Sequence, residues 1–398
     1  MRLVIATTAH TAGDVRVRFK IVDSLVRRGV DVTWVGPRSY GGAIPMADLP
    51  EGVSFRWLPA VRGFADRVVT PLRLRRALRR DREAADWVYC PDPDALLGVG
   101  PLRRRGARVW FDIHERFHND HAGRWLGPLD CRTSREAVRR AIAFGAARAE
   151  LVTSPSPSVL ADYAPAHPNA HLLLNAAPDG FAANQEPATR SPRDPMLVMH
   201  GRPGPDRGTA ELGRALDLLE HLGCQVRVLC LGTPDDLAAA IGAQHAARLA
   251  DPARLARFDL IAPVPFSQMA ALTARCHAGA VGYTGSLAEA SLPNRLFEYL
   301  ALGLPVLGPV ESPHIAAVIE QHDCGLTYRN AEPETLARVI ERLYHAPDRA
   351  AAMGAQGKAA FHRQFSWESQ VDAILARLGD RPARRSGAAR RSGQRTEG

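Results

Sequence analysis

Short apolar segments alternate with Arg- and Ala-rich segments of helical periodicity along nearly the whole chain, and this alternation limits the fold more than any other feature. It is typical of βαβ units, in which successive strands pair in parallel. The first series of candidate strands is RLVIATT, DVTWVG, WVYC, VWFDIHE and LVTSPS. The second series is PMLVMHGR, QVRVLCLG, FDLIAP, AGAVGY and LPVLGPV. The pattern predicts an α/β protein with two doubly wound parallel sheets.

Between the two series lies a segment rich in Pro, Ala and polar residues that has no periodicity. We therefore expect an N-terminal Rossmann-like domain at 1–178, a linker at 179–195 and a C-terminal Rossmann-like domain at 196–365. The apolar spacing of the following segment predicts a helix at 366–378 that clasps both domains, and the Arg-rich tail 379–398 is expected to be disordered. Because parallel sheets bind ligands at the carboxyl ends of their strands, function should lie in a cleft between the domains.

Composition excludes several classes of protein. No apolar window reaches the ~18 residues of a membrane span, and the first residues lack the features of a signal peptide. The six cysteines are scattered without a CxxC pair, which indicates neither a zinc site nor a disulfide framework. These features predict a cytoplasmic protein.

Positive charge is concentrated in the first half of the chain. Residues 1–180 hold 27 Lys and Arg against 19 Asp and Glu, whereas residues 181–378 hold 18 against 21. The basic residues come without interleaved aromatic residues or a nucleic-acid-binding motif, so nucleic acid is not the expected partner. An anionic acceptor or a membrane surface is favoured instead.

The run 62–83 contains eight of these arginines and three acidic residues. It is predicted to form an amphipathic helix whose apolar residues are Val68, Leu72 and Leu78. Such a helix would dock on anionic lipid at the inner face of the membrane. The alternative is a charged, solvated helix in an Arg-rich chain, and the sequence leaves both open.

The most specific stretch of the sequence is SLPNRLFEYLALGLPVLG, residues 291–308. It predicts a turn, a helix from about Arg295 to Leu302, and a strand after Gly303. The free N–H groups at the start of this helix would face the cleft and hold sugar hydroxyls or phosphate oxygens. Glu298, one turn later, would accept hydrogen bonds from a ribose diol, although an ordinary surface glutamate is the alternative.

The segment PNRLFEYLALGLPV resembles the PSKLFEYMAAGLPVV signature of retaining glycosyltransferases of the GT-B family 4. Further segments occur in the order of that family, namely DVRVRFKIVDSLVRRGVDVTWVG, DPDALLG, VWFDIHERF, SPSPSVL, LLLNAAPD and HGRPGPDRG. The resemblance covers nearly all of residues 1–378. It implies the GT-B fold, two Rossmann-like domains facing a central cleft, with the donor on the C-terminal domain and the acceptor on the N-terminal domain.

In HGRPGPDRG the resemblance implies that Arg202 and Arg207 hold the diphosphate of a nucleotide-sugar donor. Two guanidinium groups would stabilise the negative charge that develops on the leaving nucleoside diphosphate. A pair of solvated surface arginines is the alternative interpretation.

The resemblance also implies that His114, which follows an apolar strand, contacts the donor sugar or phosphate. The alternative is a structural histidine held by Asp112 or Glu115. Gly13, in the turn after the first strand, would let the backbone approach the diphosphate.

One departure from the family concerns the donor sugar. The family often has two glutamates eight positions apart, but Ala290 stands eight residues before Glu298. Either Glu289 takes that role through a shifted loop, or backbone N–H groups near Ser291 and Leu292 contact the sugar. Asn294, where the helix starts, is the remaining member of the predicted donor-binding set.

No pair of carboxylates is placed as nucleophile and acid, so the resemblance implies front-face substitution with retention. Motifs such as HExxH are absent, and we expect neither a metal nor a cofactor besides the nucleotide sugar. The predicted function is transfer of a sugar to an acceptor hydroxyl in the biosynthesis of cell-surface polysaccharides or secondary-metabolite glycosides. A nucleotide-sugar epimerase or hydrolase, and a catalytically silent subunit that activates a partner transferase, are the alternatives.

Overall fold

The computed structural model describes residues 1–39, 49–62, 64–80, 83–121, 130–189, 195–241 and 256–379. The first of its two sheets comprises β1 (Arg2–Ala6), β2 (Asp31–Pro37), β3 (Val53–Leu58), β4 (Trp87–Cys90), β5 (Arg108–Asp112), β6 (Leu151–Ser154) and β7 (Ala170–Leu172). All neighbours pair in parallel, in the order β3-β2-β1-β4-β5-β6-β7. The winding changes direction beside β1, so loops after β1 and β4 diverge there and leave a crevice for a ligand.

The second sheet comprises β8 (Met196–Gly201), β9 (Val226–Leu231), β10 (Phe258–Ile261), β11 (Ala278–Ala280), β12 (Val306–Pro309) and β13 (Gly325–Tyr328). Its strands are also parallel, in the order β10-β9-β8-β11-β12-β13. The central strands read as continuous apolar runs because helices cover both faces of the sheet. Two parallel, doubly wound sheets confirm the predicted fold class.

Helices of the first domain are α1 (Asp23–Arg27), α2 (Phe64–Arg80), α3 (Gly100–Arg103), α4 (Arg132–Ala146) and α5 (Pro157–Tyr163). A π-helix, Val15–Val22, precedes α1, and two short segments, a 3₁₀-helix at Pro93–Leu97 and a π-helix at Phe117–His121, complete the set in the described residues. Asp14 caps the first of these helices, since its side chain accepts a 2.7 Å hydrogen bond from the Val17 N–H.

Helices of the second domain are α6 (Thr209–His221), α7 (Pro234–Ile241), α8 (Phe266–Thr273), α9 (Gly285–Ala290), α10 (Asn294–Leu302), α11 (Pro313–His322), α12 (Pro333–His345) and α13 (Pro347–Gln364). The central helix α10 is buried along most of its length. It begins one residue before the predicted start and ends, as predicted, just before Gly303, whose φ of +77° favours glycine.

The final helix, α14 (Trp367–Gly379), packs against the first domain although it follows the second in sequence. The Trp367 indole N–H donates to Ser24 Oγ at 2.9 Å, and Glu368 forms an ion pair with Arg28 at 2.7 Å. Trp367 itself is fully buried. The helix therefore ties the chain back to the first domain. The predicted tail lies almost entirely outside the described residues, as does part of the predicted linker.

The helix α2 exposes a different face from the one predicted. Leu74 and Leu78 are fully buried, whereas Val68 is 58% and Leu72 is 65% exposed. Residues 72 and 78 are six positions apart, which separates them by about 120° around a helix with 3.6 residues per turn. The prediction that Val68, Leu72 and Leu78 share one apolar face is wrong, because Leu78 belongs to the core of the domain.

Within the described ranges, no helix combines the length and the apolar character needed to cross a membrane.

Candidate active site

A cavity of about 1340 Å³ lies between the carboxyl ends of the two sheets. From the first domain it is lined by the segments that follow β1, β5 and β6, including Gly13 and His114. From the second domain it is lined by the segments that follow β8 and β11 and by the start of α10. Both sheets thus point their ligand-binding edges at one cleft, as expected for paired Rossmann-like domains.

At the base of the first domain's side, the buried carboxylate of Asp112 accepts hydrogen bonds from four side chains. Arg16 binds it in bidentate fashion at 2.9 Å, and Tyr89 and Thr153 donate hydroxyl protons at 2.7 and 2.6 Å. The fourth partner is His114 Nε2, at 2.9 Å. Burial would raise the pKa of Asp112, but Arg16 and His114 hold it well below its usual range.

Because Asp112 is ionised, it only accepts hydrogen bonds, so His114 Nε2 carries the proton between them. The ring is held in one orientation, and its other nitrogen, Nδ1, is the one left for a ligand. His114 is therefore both held by Asp112, as the structural alternative supposed, and part of the cavity lining, as the functional prediction required.

A second histidine stands beside the first. The rings of His10 and His114 meet edge to face, with centroids 4.9 Å apart. His10 Nδ1 lies 2.9 Å from Asp92, whose other oxygen accepts from Thr7 Oγ1. Burial would lower the pKa of His10, but Asp92 and Asp14 raise it to about 10. His10 is thus a fixed positive charge behind His114, and the sequence alone gave little sign of it.

Gly13 lies on the cavity wall, where the sequence placed it. A Cβ atom built there would meet only Thr11 Oγ1, at 3.7 Å. No contact with the other described residues requires glycine at this position. The space in front of it belongs to the cleft and is open to a ligand.

On the second domain's side, Arg202 and Arg207 lie on the loop between β8 and α6, and both line the cavity. Arg202 is exposed, and the nearest carboxylate oxygen to Arg207 Nε is that of Asp206, at 3.8 Å. Gly208 ends the loop with φ +70°, and a Cβ there would lie 2.5 Å from the Gly282 carbonyl. The loop is thus shaped by glycine and presents two guanidinium groups to the cleft.

Glu298 lines the cavity from α10 and is only 7% exposed. Its carboxyl group accepts no hydrogen bond from any of the described residues. Burial raises the pKa of Glu298, and the charges of Lys20 and Arg295 oppose this rise. A buried carboxyl group with unused acceptor oxygens that faces a cavity is suited to a ligand rich in hydroxyl groups.

Two residues at the start of α10 line the cavity: Asn294, which the sequence assigned to the donor, and Arg295, which it missed. Asn294 lines the cavity, but its Oδ1 accepts a 2.8 Å hydrogen bond from Lys20 Nζ. Arg295, which the predictions did not include, also lines the cavity and donates to the carbonyl of His200. Its place three residues before Glu298, on the same helix face, was the available signal.

The glutamate predicted as an alternative sugar contact lies elsewhere. The side chain of Glu289 is 69% exposed and pairs with Arg116 at 3.3 Å, and it does not line the cavity. Ala290, Ser291 and Leu292 do line it, but the Ser291 N–H already donates to a carbonyl of α9. The loop is therefore not shifted so as to bring Glu289 to the donor side.

Among the described residues, no cluster of three His, Cys, Asp or Glu side chains has the arrangement of a metal site.

Two family models match the chain. One, described as "Glycosyl transferase 4-like domain", matches residues 13–171, and the other, described as "Glycosyl transferase-like", matches residues 214–376. No curated protein matches the chain in sequence.

Solved structures resemble the whole chain. Anabaena HepE with UDP and glucose has a TM-score of 0.68 at 14% identity, over 95% of this chain and 98% of that one. Sucrose-phosphate synthase of Thermosynechococcus elongatus has a TM-score of 0.66 at 13% identity, over 94% and 98%. The trehalose 6-phosphate synthase of Burkholderia multivorans has a TM-score of 0.64 at 14% identity, over 95% and 96%. At such low identity these likenesses show the fold.

Two Rossmann-like domains that face one cleft define the GT-B class of protein. With a matching family model on each domain, the chain belongs to the family 4-like, group 1 glycosyltransferases. This confirms the family that the segment PNRLFEYLALGLPV indicated.

Proposed function

We propose that this glycosyltransferase takes its sugar from a nucleoside diphosphate held on the second domain's side of the cleft. Arg202 and Arg207 bind the diphosphate, and Glu298 accepts hydrogen bonds from the ribose diol. The observation that carries the proposal is Glu298, a buried carboxyl group at the cavity wall with no hydrogen-bond donor among the described residues. The solved structures of HepE with UDP and with UDP-glucose support a donor of this class.

The reaction proceeds with retention in this proposal. The bond between the anomeric carbon and the diphosphate oxygen breaks, the acceptor oxygen bonds to the same face of that carbon, and the acceptor proton passes to the departing phosphate oxygen. The two arginines stabilise the charge on the leaving group, and His114 orients the donor through Nδ1. Proton NMR of the product tests the stereochemistry, because a product with the inverted anomeric configuration would rule out this route.

An active enzyme is favoured over the alternatives. The silent-subunit hypothesis rests on Ala290 at the place of a glutamate, but His114, both arginines and Glu298 all line one cavity. An epimerase or hydrolase would consume donor without an acceptor. Purified protein incubated with nucleotide sugars, with and without a hydroxyl acceptor, separates the three by whether glycoside, free sugar or nothing forms.

The acceptor is assigned to the first domain's side, on which Arg116 lines the cleft. A sugar-phosphate acceptor has a parallel in the trehalose-phosphate synthase of Burkholderia xenovorans, whose structure contains glucose 6-phosphate. We propose that the acceptor here is anionic, free or lipid-linked, and that the enzyme works in the cytoplasm in polysaccharide or glycoside biosynthesis. The positive charge of residues 1–180 supports this assignment.

A peripheral membrane contact is proposed for the outer face of α2. The exposed side chains Val68, Leu72, Arg76 and Arg79 are spaced by three or four residues, so they share a face, and the exposed Arg80 lies at the border of that face. Apolar residues at one end and arginines at the other suit an anionic bilayer surface. This face replaces the one predicted from sequence.

The donor is identified by thermal shift with a panel of nucleoside diphosphates and nucleotide sugars. A ligand at 100 times its dissociation constant stabilises the folded state by about 2.7 kcal/mol. We expect one nucleobase to stand out. If no member of the panel raises the melting temperature, the assignment of the donor is wrong.

A further inference from the structure

Lysine is rare in this chain. Of 51 basic residues only Lys20 and Lys358 are lysines, and the others are arginines. Lys358 lies on the surface and pairs with Glu186 at 3.0 Å. Lys20, by contrast, is completely buried beneath the cleft. A fully buried ammonium group carries a large desolvation cost, so its surroundings must compensate the charge.

The ammonium group of Lys20 connects the two domains. Nζ donates to the backbone carbonyl of Asn175 and to Asn294 Oδ1, each at 2.8 Å. Asn175 follows the last strand of the first sheet, whereas Asn294 begins α10 of the second domain. On a third side, Nζ lies 5.7 Å from the ring centroid of Trp367 in the final helix.

Asn175 extends this contact to the remainder of the site. Its Nδ2 donates to the Leu292 carbonyl at 2.9 Å, and its Oδ1 accepts from Arg16 at 2.9 Å. Arg16 in turn binds Asp112, the residue that holds His114. Hydrogen bonds therefore run without interruption from His114 to the start of α10, and Lys20 stands where they reach that helix.

Lys20 and Glu298 act on each other electrostatically, and three further charged groups act on one or the other. Asp14 and Arg16 act on Lys20 along with Glu298, and Arg295 acts on Glu298 along with Lys20. Arg16 already pairs with Asp112, and Asp14 caps its own helix. Arg295 donates to a backbone carbonyl. Glu298, one helical turn after Asn294, is the carboxyl group that has no other partner among the described residues.

We propose that Lys20 is a positioning residue for donor binding: its ammonium group holds Asn294 at the start of α10, one helical turn before Glu298, and its positive charge favours the ionised form of Glu298 at the cavity wall. This inference rests on the proposed role of Glu298 toward the ribose. In agreement with it, burial lowers the pKa of Lys20 to about 7, against the attraction of Glu298. A nucleotide that favours the charged form of Glu298 then also favours protonated Lys20, and the coupling is reciprocal.

Because the chain has two lysines, selective ¹³Cε-lysine labelling gives two side-chain NMR signals, with Lys358 as the internal reference. We expect the titration midpoint of Lys20 to fall in Glu298→Gln, which removes the attraction. In the wild type, saturating UDP or ADP should raise this midpoint by about 1 pH unit, the equivalent of a tenfold difference in nucleotide affinity between the two protonation states. A midpoint that responds neither to Glu298→Gln nor to bound nucleotide would overturn the proposal.

A second arm uses Lys20→Met, with Lys358→Met as the matched control. The first substitution should weaken UDP or ADP binding about 10-fold or more, and the second should leave it unchanged. Equal affinity in wild type and Lys20→Met overturns the positioning role. If neither nucleotide binds the wild type, the proposed function fails, and the positioning role of Lys20 fails with it. The electrostatic attraction between Lys20 and Glu298 is tested separately, by the titration midpoint of Lys20 in Glu298→Gln without a ligand.

Discussion

The two sides of the cleft differ in how far their polar groups are already satisfied. On the first domain's side, Asp112 accepts hydrogen bonds from four side chains, and Asp92 is held by His10 and Thr7. On the second domain's side, Glu298 accepts no hydrogen bond from the described residues, and Arg207 lies 3.8 Å from a carboxylate oxygen of Asp206 and 5.8 Å from the ring centroid of Tyr283. The first domain's side is therefore a preformed support, whereas the polar groups of the second domain's side are completed by a ligand.

We therefore expect mutations on the two sides to affect different properties, namely stability on the first side and ligand binding on the second. Breaking a satisfied buried network exposes its members to the full cost of desolvation, so the fold suffers. Removing a side chain that makes no hydrogen bond to the other described residues disturbs the fold less, so the main loss is in ligand binding. Each prediction below sets one side against the other.

The largest effect is expected for Asp112→Ala, which leaves the buried guanidinium of Arg16 without its partner. The free energy of unfolding should fall by about 3–5 kcal/mol, measured by urea denaturation. Asp66→Ala, which removes a half-exposed partner of Arg73, is the control and should cost less than about 1 kcal/mol. If the two variants lose the same free energy of unfolding, the network around Asp112 is not a preformed support.

A smaller effect, confined to catalysis, is expected for Arg202→Ala and Arg207→Ala. Each removes a charge-assisted contact to the diphosphate of about 1.5–3 kcal/mol, so kcat/KM for the donor should fall about 10- to 100-fold. The melting temperature should not change. Arg214→Ala, on α6 outside the cavity lining, serves as the control. Unchanged kcat/KM in both cleft variants would remove the diphosphate assignment.

Next in size is Glu298→Gln, which keeps the shape of the side chain but not the charged acceptor. Nucleotide affinity should fall about 10-fold, because a hydrogen bond to a charged group contributes about 1.5–3 kcal/mol, and calorimetry measures it. Glu289→Gln is the matched control, since Glu289 does not line the cavity. If Glu289→Gln weakens binding and Glu298→Gln does not, the two glutamates have been assigned the wrong way round.

The smallest effect concerns the outer face of α2. Reversal of Arg76, Arg79 and Arg80 to Glu should abolish association with anionic vesicles at low salt and leave nucleotide binding unchanged. The wild-type association should weaken as salt rises, because the screening length is about 10 Å at 0.1 M. Reversal of Arg338 and Arg342, which are exposed on the second domain, is the control. A wild type that ignores anionic vesicles at low salt leaves a soluble acceptor as the better proposal.

Sequence patterns predicted the interior of both sheets but not all of their edges. The strands β3, β7 and β13 were not predicted, and each lies at the edge of its sheet. An edge strand is covered less completely, so it does not read as a continuous apolar run, and β3 alternates between exposed and half-buried residues instead. The face of α2 was misassigned for a related reason, since apolar composition does not say which apolar residues enter the core.

The site residues that could be predicted from sequence are those that follow strands or begin α10, because the topology of a parallel sheet brings such residues to its carboxyl edge. It did not find partners joined across the chain, such as Arg16 and Asp112, which are 96 positions apart, or Lys20 and Asn294, which are 274 apart. The first pair depends on how the elements of one domain come together, and the second depends on how the two domains meet. The position of Glu289 likewise depended on Arg116 of the other domain.

The central claim is that the second domain's side of the cleft binds a nucleoside diphosphate through Arg202 and Arg207. Its most direct test is calorimetric titration of UDP and ADP into the wild type and the double variant Arg202→Ala/Arg207→Ala. We expect one of the two nucleotides to bind the wild type, and the double variant to bind it at least about 100-fold more weakly, which corresponds to about 2.8 kcal/mol. Equal affinity of the wild type and the double variant would contradict the account.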